Sequence, residues 1–259
     1  MRSFLLRPGS TEPSDAELTL PKDARAAGPL ISCLMVTRGT VFPAIHAVQS
    51  FQAQSYENRE LVIVCDRPDS ALKAWIARLG DARIRFIGSE RASLGELRNI
   101  SVTEANGALI AQWDDDDLYH PERLALQIAA LADGRARAVF LERWTLWWPA
   151  HRWLATSSRR IWEGSIVAWK DAMASYPAQG ISEDTAMVKA MRREHVLRLI
   201  DAPLSYCYVV HGGNTCTVGH METLFANATD RVAPGDYDAA LARNSQAFPF
   251  AAWTAAADV

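Results

Sequence analysis

Between residues 30 and 131 the apolar positions fall into two alternating kinds of segment. Leu30-Ile31-Ser32-Cys33-Leu34-Met35-Val36-Thr37 and Leu61-Val62-Ile63-Val64-Cys65 are runs without alternation, the pattern of strands buried on both faces. Between them Pro43 opens a helix reaching Gln54, with Ala44, Val48 and Phe51 on one side. Ser70 caps the next helix and Gly80 closes it. Residues 83–87 alternate like a half-buried strand. Ser93 and Glu96 form a capping box, so a helix runs over 94–106 and stops at Gly107. Residues 108–113 make the next strand, and Pro121 begins a helix with Leu124, Ile128 and Leu131 inward. A strand followed by a helix, repeated four times, predicts a parallel sheet with right-handed crossovers. Ligands of such sheets gather at the carboxyl ends of the strands. Here those ends carry Thr37-Arg38, Asp66 and Asp114-Asp115-Asp116-Asp117.

The second half is less regular. Residues 137–148 read as a strand with 165–169 as an antiparallel partner, 183–193 as a helix, and 196–200 and 206–210 as strands. From Pro234 onward one amphipathic helix and a loose end are expected. Residues 1–28, rich in Pro, Ser, Asp and Ala and without periodicity, read as a flexible arm.

Composition narrows the class. Of 259 residues 49% are hydrophobic and 22% charged, which excludes a largely disordered chain. The net charge of −3 provides no basic field for nucleic acid. No apolar run approaches the ~20 residues that span a bilayer, and the apolar part of the N-terminus is too short for a signal peptide. Cys33, Cys65, Cys207 and Cys216 lack C-x-x-C spacing, which argues against a zinc cluster and for reduced thiols in a cytoplasmic protein. Trp144, Trp147, Trp148, Trp153 and Trp162 crowd one stretch, interleaved with Arg143, Arg152, Arg159 and Arg160. Packing is the first reading of that cluster, a sugar platform the second, and a membrane-interface patch the third.

The acidic run carries the strongest chemistry. Four adjacent carboxylates repel one another and need a cation or free solvation. In extended backbone Asp114 and Asp116 would share a face, with Asp115 and Asp117 opposed. Such oxygen ligands suit Mg²⁺ or Mn²⁺, which take substrate phosphates as further ligands. A solvated acidic turn capping the Pro121 helix is the plainer alternative. No G-x-G-x-x-G follows the first strand, and neither a G-x-x-x-x-G-K-[ST] loop nor a G-x-S-x-G elbow is present. Dinucleotide binding, P-loop chemistry and an α/β-hydrolase are therefore unsupported.

Several ordered pieces together resemble family 2 glycosyltransferases. They are Thr37-Arg38 after the first strand, Asp66 after the second, Arg98-Asn99 in the helix before the acidic strand, and Trp113-Asp114-Asp115-Asp116-Asp117 followed by Pro121-Glu122-Arg123-Leu124. Further on come Glu183-Asp184 at a helix start and His211-Gly212-Gly213-Asn214-Thr215. The resemblance covers roughly 180 residues, and the order of the motifs is more specific than any one of them. Two positions depart from it: Arg38-Gly39 stands where the family commonly has Tyr-Asn, and Ile100 where it often has Gly.

The resemblance implies an α/β chain of the GT-A fold, a Rossmann-like, mostly parallel sheet flanked by helices with a smaller antiparallel acceptor-side part. It divides the chain into the arm, a nucleotide-sugar-binding half over 29–135, an acceptor-binding and catalytic half of the same domain over 136–233, and a C-terminal helix and tail over 234–259. It implies an inverting, hexosyltransferase-type enzyme that uses a divalent cation, Mn²⁺ or Mg²⁺, and a nucleotide-diphosphate sugar, with UDP-sugar first among donors. Thr37, Arg38, Asp66, Arg98, Asp114 and Asp115 would hold the nucleotide. Asp116, with Asp114 and His211, would hold the metal. Asp184 would be the general base beside Glu183, and the acceptor would be a glycan, a lipid-linked sugar or a small molecule; apart from the resemblance, Trp162 and Glu163 in the tryptophan-rich stretch are the residues expected to face it. No nucleic-acid partner and no membrane span are expected. Peripheral contact with the inner face of a membrane stays open.

Each residue also has a plainer reading. Glu183 and Asp184 suit a helix N-terminus capped by Ser182. His211 suits a structural histidine, Asp66 a turn before Arg67-Pro68, and Arg98 a surface helix charge. At the level of function two alternatives stand: a non-catalytic nucleotide-sugar or metal-binding protein of the same fold, and a nucleotidyltransferase.

Overall fold

The computed structural model describes residues 1–10, 12–18, 28–67 and 71–257. In chain order the elements are β1 (Ser3–Leu6), β2 (Ser14–Asp15), β3 (Ile31–Thr37), α1 (Val41–Gln52), β4 (Arg59–Cys65), α2 (Ala71–Leu79), β5 (Ile84–Gly88), α3 (Leu94–Glu104), β6 (Leu109–Gln112), β7 (Leu118–Tyr119) and α4 (Arg123–Leu131). There follow β8 (Ala138–Leu141), β9 (Thr145–Trp148), β10 (Trp153–Thr156), β11 (Trp162–Trp169), α5 (Glu183–Glu194), β12 (Leu197–Ile200), β13 (Tyr206–Val209), α6 (Val218–Ala226), β14 (Asp230–Arg231), α7 (Tyr237–Arg243) and α8 (Phe250–Ala257).

The strands form two sheets. The larger runs β2-β1-β12-β8-β11-β6-β3-β4-β5, and β6, β3, β4 and β5 are parallel neighbours, as the strand–helix repeat predicts. β11 enters antiparallel between β6 and β8, so the sheet is mixed. The period of two explains why β3 and β4 read as unbroken apolar runs. Ile31, Cys33, Met35, Leu61 and Ile63 pack on one face with Ala47, Val48 and Phe51 of α1 and Leu124 and Leu131 of α4. Leu34, Val62 and Val64 pack on the other with Leu97 of α3 and Met187, Val188 and Met191 of α5. Each such side chain contributes about 1.5–3 kcal/mol by leaving water, enough to offset the ordering of its own backbone.

The structure corrects several expectations. Ser3–Leu6, placed in a flexible arm, is a strand antiparallel to β12, with Ser3 opposite Ile200 and Leu6 opposite Leu197. Without β1 the β12 edge would be open. Leu5 and Leu6 are buried, and the fully buried Arg198 donates to Ser3 Oγ at 3.0 Å. α1 starts at Val41, two residues ahead of Pro43, with Thr40 at its N-cap. Residues 137–148 are two strands in different sheets, because the chain leaves the large sheet after Leu141. The tail holds two helices, α7 and α8. The Ser93–Glu96 capping box and the left-handed Gly80 after α2 occur as expected, while Ser70 lies outside the described residues.

The smaller sheet runs β14-β10-β9-β13-β7, with β13 and β9 parallel and its other pairs antiparallel. Packing explains the tryptophans. Trp144 stacks on Trp162 at 4.2 Å, and the buried Trp147 indole donates to Tyr237 Oη at 2.8 Å. The interleaved arginines are ion-paired: Arg143 and Arg159 with Asp201, Arg160 with Glu163, and Arg152 with Asp238. Among the described residues no helix is long and apolar enough to cross a membrane.

Candidate active site

The acidic run lies where β6 ends. Trp113 anchors it: its backbone N–H donates to Leu34 O at 3.0 Å and its indole N–H to Ala47 O at 2.9 Å. Asp115 and Asp116 then form a turn, which breaks the alternation expected of a strand. The four carboxylates therefore point to different partners. Asp114 receives Arg98 Nη2 at 3.0 Å and Gln112 Nε2 at 3.0 and 3.1 Å, and Tyr206 Oη stands 3.3 Å away. Asp117, fully buried, accepts from Val209 N–H at 2.8 Å and from the Tyr206 hydroxyl. Burial, with the charges of Asp116 and Asp114, pushes its carboxyl well up. Burial plus the charges of Asp116 and Asp114 push the Asp115 carboxyl up to about 7, against the pull of the Thr37 side chain.

Asp116 faces the late histidine loop. Its Oδ2 lies 3.0 Å from His211 Nε2 and 3.3 Å from Asn214 Nδ2, and its Oδ1 has no partner among the described residues. The Gly213 N–H donates to His211 Nδ1 at 3.1 Å, which leaves the ring proton on Nε2, directed at Asp116. Asn214 closes the loop by accepting from His211 N–H at 2.6 Å and donating to Val209 O at 3.1 Å. Trp253 of α8 backs the imidazole, ring centroids 6.2 Å apart.

A fixed cation lies beneath the run. Arg123 is fully buried, with its guanidinium carbon 4.7 Å from the Tyr119 ring centroid, 5.0 Å from Tyr206 and 5.1 Å from Trp113. It donates to Gln127 Oε1 at 3.0 Å and to Gln112 O at 3.1 Å. This cage holds a charge close under the carboxylates.

The Glu183-Asp184 pair opens α5. Glu183 is buried and accepts from Arg98 Nε at 2.9 Å, so one guanidinium ties the acidic loop to this helix. Asp184 is half-buried. Its Oδ1 accepts from Thr185 N–H at 2.6 Å, while burial and the Glu183 charge push its carboxyl up to about 6 against the pull of Arg98. Ser182 occupies the N-cap with φ 61°, but its side chain makes no capping bond, contrary to expectation. Glu163 reaches the same turn by accepting from Thr185 Oγ1 at 3.2 Å. Gly164 lets β11 pass close by, since a Cβ there would lie 3.2 Å from Asp114 Oδ2.

Thus the structure brings Asp114, Arg98, Glu183, Asp184 and Glu163 together, and joins Asp116 to His211. Asp114 bonds to Arg98, Gln112 and Tyr206 and shares no partner with Asp116 or His211, and among the described residues the three form no metal-holding group. Trp162 is buried, with Trp144 stacked on its ring and Arg160 4.5 Å from its centroid, so it presents no platform to an acceptor. On the nucleotide side Thr37 is buried and accepts from Gly39 N–H at 3.0 Å, and Arg38 is exposed. Asp66 Oδ1 is buried without a hydrogen-bond partner among the described residues. Such an acceptor suits a ligand N–H. Gln112 and Tyr206 were not singled out from the sequence, and Arg123 and Asn214 stood there within motifs without a role of their own. Asn214 had a signal in Gly-Gly-Asn, and Arg123 in the residues after the acidic run. Tyr206 had none.

The donor set decides which cation would fit. Among the described residues no three His, Cys, Asp or Glu side chains gather into a metal-holding group. That argues against an all-protein cage. A cation that takes one or two protein carboxylates, then phosphate oxygens and water, fits the open Oδ1 of Asp116.

Residues 44–195, more than half of the chain, match the model of Glycosyl transferase family 2. WcaA of Escherichia coli (strain K12), named for colanic acid biosynthesis, is 35% identical over 104 residues, 39% of this chain and 37% of its own length. The chain thus spans little more than a third of that relative. S. aureus TarS 1-349 in complex with UDP superposes with a TM-score of 0.57 at 13% identity, over 76% of this chain and 69% of that one. The mannosyltransferase PcManGT from Pyrobaculum calidifontis, in complex with GDP-Man and Mn2+, gives 0.59 at 16% identity, over 77% and 62%. With its mixed sheet, flanking helices and acidic strand end, the chain belongs to glycosyltransferase family 2 and has the GT-A fold.

Proposed function

We propose that the chain is an inverting, metal-dependent transferase that moves a sugar from a nucleotide-diphosphate sugar to an acceptor hydroxyl, with Asp184 as general base. The observation that carries this is the environment of Asp184: a half-buried carboxylate raised toward neutral pH, tied through Glu183 and Arg98 to the acidic loop. A base with such a pKa is deprotonated at working pH yet still basic enough to take a proton.

Asp66, Thr37 and Asp115 hold the nucleoside in this reading, with the open Asp66 Oδ1 accepting a base N–H such as that of uracil. Asp116 would hold a divalent cation, with His211 and Asn214 orienting its carboxylate. When bound, the cation supplies positive charge that stabilises the departing diphosphate. The acceptor oxygen attacks the anomeric carbon, the bond to the diphosphate oxygen breaks, and the acceptor proton passes to Asp184. One displacement inverts the anomeric centre. A UDP-sugar is the first donor to test, and the acceptor is a glycan, a lipid-linked sugar or a small molecule. A cytoplasmic location with peripheral contact at the inner face of a membrane belongs to the same proposal.

Incubation with a panel of nucleotide sugars and Mn²⁺ or Mg²⁺, without acceptor, tests it through released nucleoside diphosphate, beside donor binding by thermal shift. Metal-dependent release from one donor, lost in Asp116→Ala, is the expected result. Neither binding nor release across the panel would overturn the reading. Release of pyrophosphate would assign a nucleotidyltransferase instead, and binding without release even after acceptors are supplied would assign a binding protein. A product that keeps the donor's anomeric configuration would remove inversion.

A further inference from the structure

Helix α3 reaches distant parts of the chain through two neighbouring residues. Arg98 engages Asp114 and Glu183. Asn99 turns to the segment that precedes α5 and holds one residue from both sides: Nδ2 donates to Tyr176 O at 2.8 Å, and Oδ1 accepts from Tyr176 N–H at 2.9 Å. One turn earlier the Gly95 N–H donates to Gln179 O at 3.0 Å. A Cβ on residue 95 would sit 1.9 Å from Pro177 O, so the segment lies directly on the helix backbone and only glycine admits it.

This docking and the buried Tyr176 ring, which packs in one cluster with Leu97 and Met187, together hold the approach to α5. Residues 173–182 hold no helix or strand, and 178–182 are exposed. Ser182 sits in the left-handed region with no side-chain cap, so no local capping bond fixes the first turn of α5. Asp184 lies in that turn. Its position is held from before by the Asn99 and Gly95 hydrogen bonds and the buried Tyr176 ring, and from beside by Arg98–Glu183 and Glu163–Thr185.

We infer that Asn99 and Gly95 are positioning residues for Asp184: they dock residues 176–179 on α3 and thereby set where the start of α5 presents its carboxylate. The inference rests on Asp184 acting as the base. It gives Asn99 a role on the acceptor side of the reaction, distinct from nucleotide binding. Misplacing a reacting group by about 1 Å costs on the order of 100-fold in rate.

The test uses the full chain with Asn99→Ala, Asn99→Asp and, as a control, Asp184→Asn. Three quantities are read: kcat for hydrolysis of the donor that the panel identifies, the Kd of UDP or GDP, whichever the wild type binds with Mn²⁺, and amide exchange by mass spectrometry. Asn99→Ala is expected to lower kcat about 10- to 100-fold, to leave Kd within about twofold, and to raise exchange over 176–186 but not over 109–119. Asn99→Asp keeps the acceptor and loses the donor, so it should fall between wild type and alanine. It also carries the test if Asn99→Ala does not fold. An unchanged kcat in both Asn99 variants beside an inactive Asp184→Asn would overturn the inference and leave the base assignment standing. A weakened Kd with unchanged exchange would move Asn99 to the nucleotide pocket and overturn it as well. An active Asp184→Asn would overturn the base assignment and this inference with it.

Discussion

The two sides of the candidate site are built on opposite plans. On the proposed nucleotide side two carboxylate oxygens, Asp66 Oδ1 and Asp116 Oδ1, have no partner among the described residues, and Asp115 is crowded by like charges. On the base side the carboxylates are engaged. Glu183 is held by Arg98, Asp184 Oδ1 by Thr185 N–H, and Glu163 by Thr185 and Arg160. The first side holds electrostatic tension that a cation and a nucleotide would relieve. The second is preorganised and asks little of the ligand. Under the proposed function the difference would separate two jobs, gripping a donor that must come and go and presenting a base that must not move.

Four measurements break or sharpen that contrast. The largest effect is expected for Asp184→Asn, which should lower kcat by about 100- to 10,000-fold while nucleotide affinity by calorimetry stays near wild type. A matching loss of affinity would mean that the two sides are not separable. Next, Arg98→Gln leaves Glu183 buried beside an uncharged partner and should destabilise the fold by about 3–5 kcal/mol, read from urea melts. A change within error would show that the bridge contributes nothing. Third, Asp66→Ala should weaken nucleotide binding by about 1–3 kcal/mol with kcat almost unchanged, and should cost no stability, because the lost oxygen had no partner. The smallest effect is a pH profile. The base works deprotonated, so kcat/KM should be full above the raised Asp184 value and halve as pH falls through about 6. Glu163→Gln removes a neighbouring negative charge and should move that limb to lower pH. A limb near the ordinary aspartate value in the wild type would argue that Asp184 is not the base.

What could be read from the sequence follows the same division. β3 and β4 were legible because a strand buried on both faces must be apolar throughout, and Asp66 and the acidic run because they end such strands. Ser93 and Glu96 were legible because capping is local. The arrangement of the four aspartates was not, because the turn at Asp115-Asp116 and the partners Arg98, Tyr206 and His211 are set by the tertiary fold. Ser3–Leu6 looked unordered because its partner, β12, lies at the other end of the chain. Packing was the first reading of the tryptophan cluster and holds for Trp162, but composition does not reveal that Trp144 is what covers it.

The bond between Asp116 and His211 joins residues 95 apart, and Arg98 meets Glu183 across 85, whereas Ser32 and Glu60 of the parallel core meet across 28. Closing the longer loop adds only about 1 kcal/mol of chain entropy, since each doubling costs about 0.6 kcal/mol. The cost is therefore one of order rather than of stability. On a growing chain Asp116 is made 95 residues before His211, after the parallel strands β3, β4, β5 and β6 are already complete in sequence. The site is thus completed from two distant stretches of the chain, and a truncation before residue 211 would leave the acidic turn without its histidine.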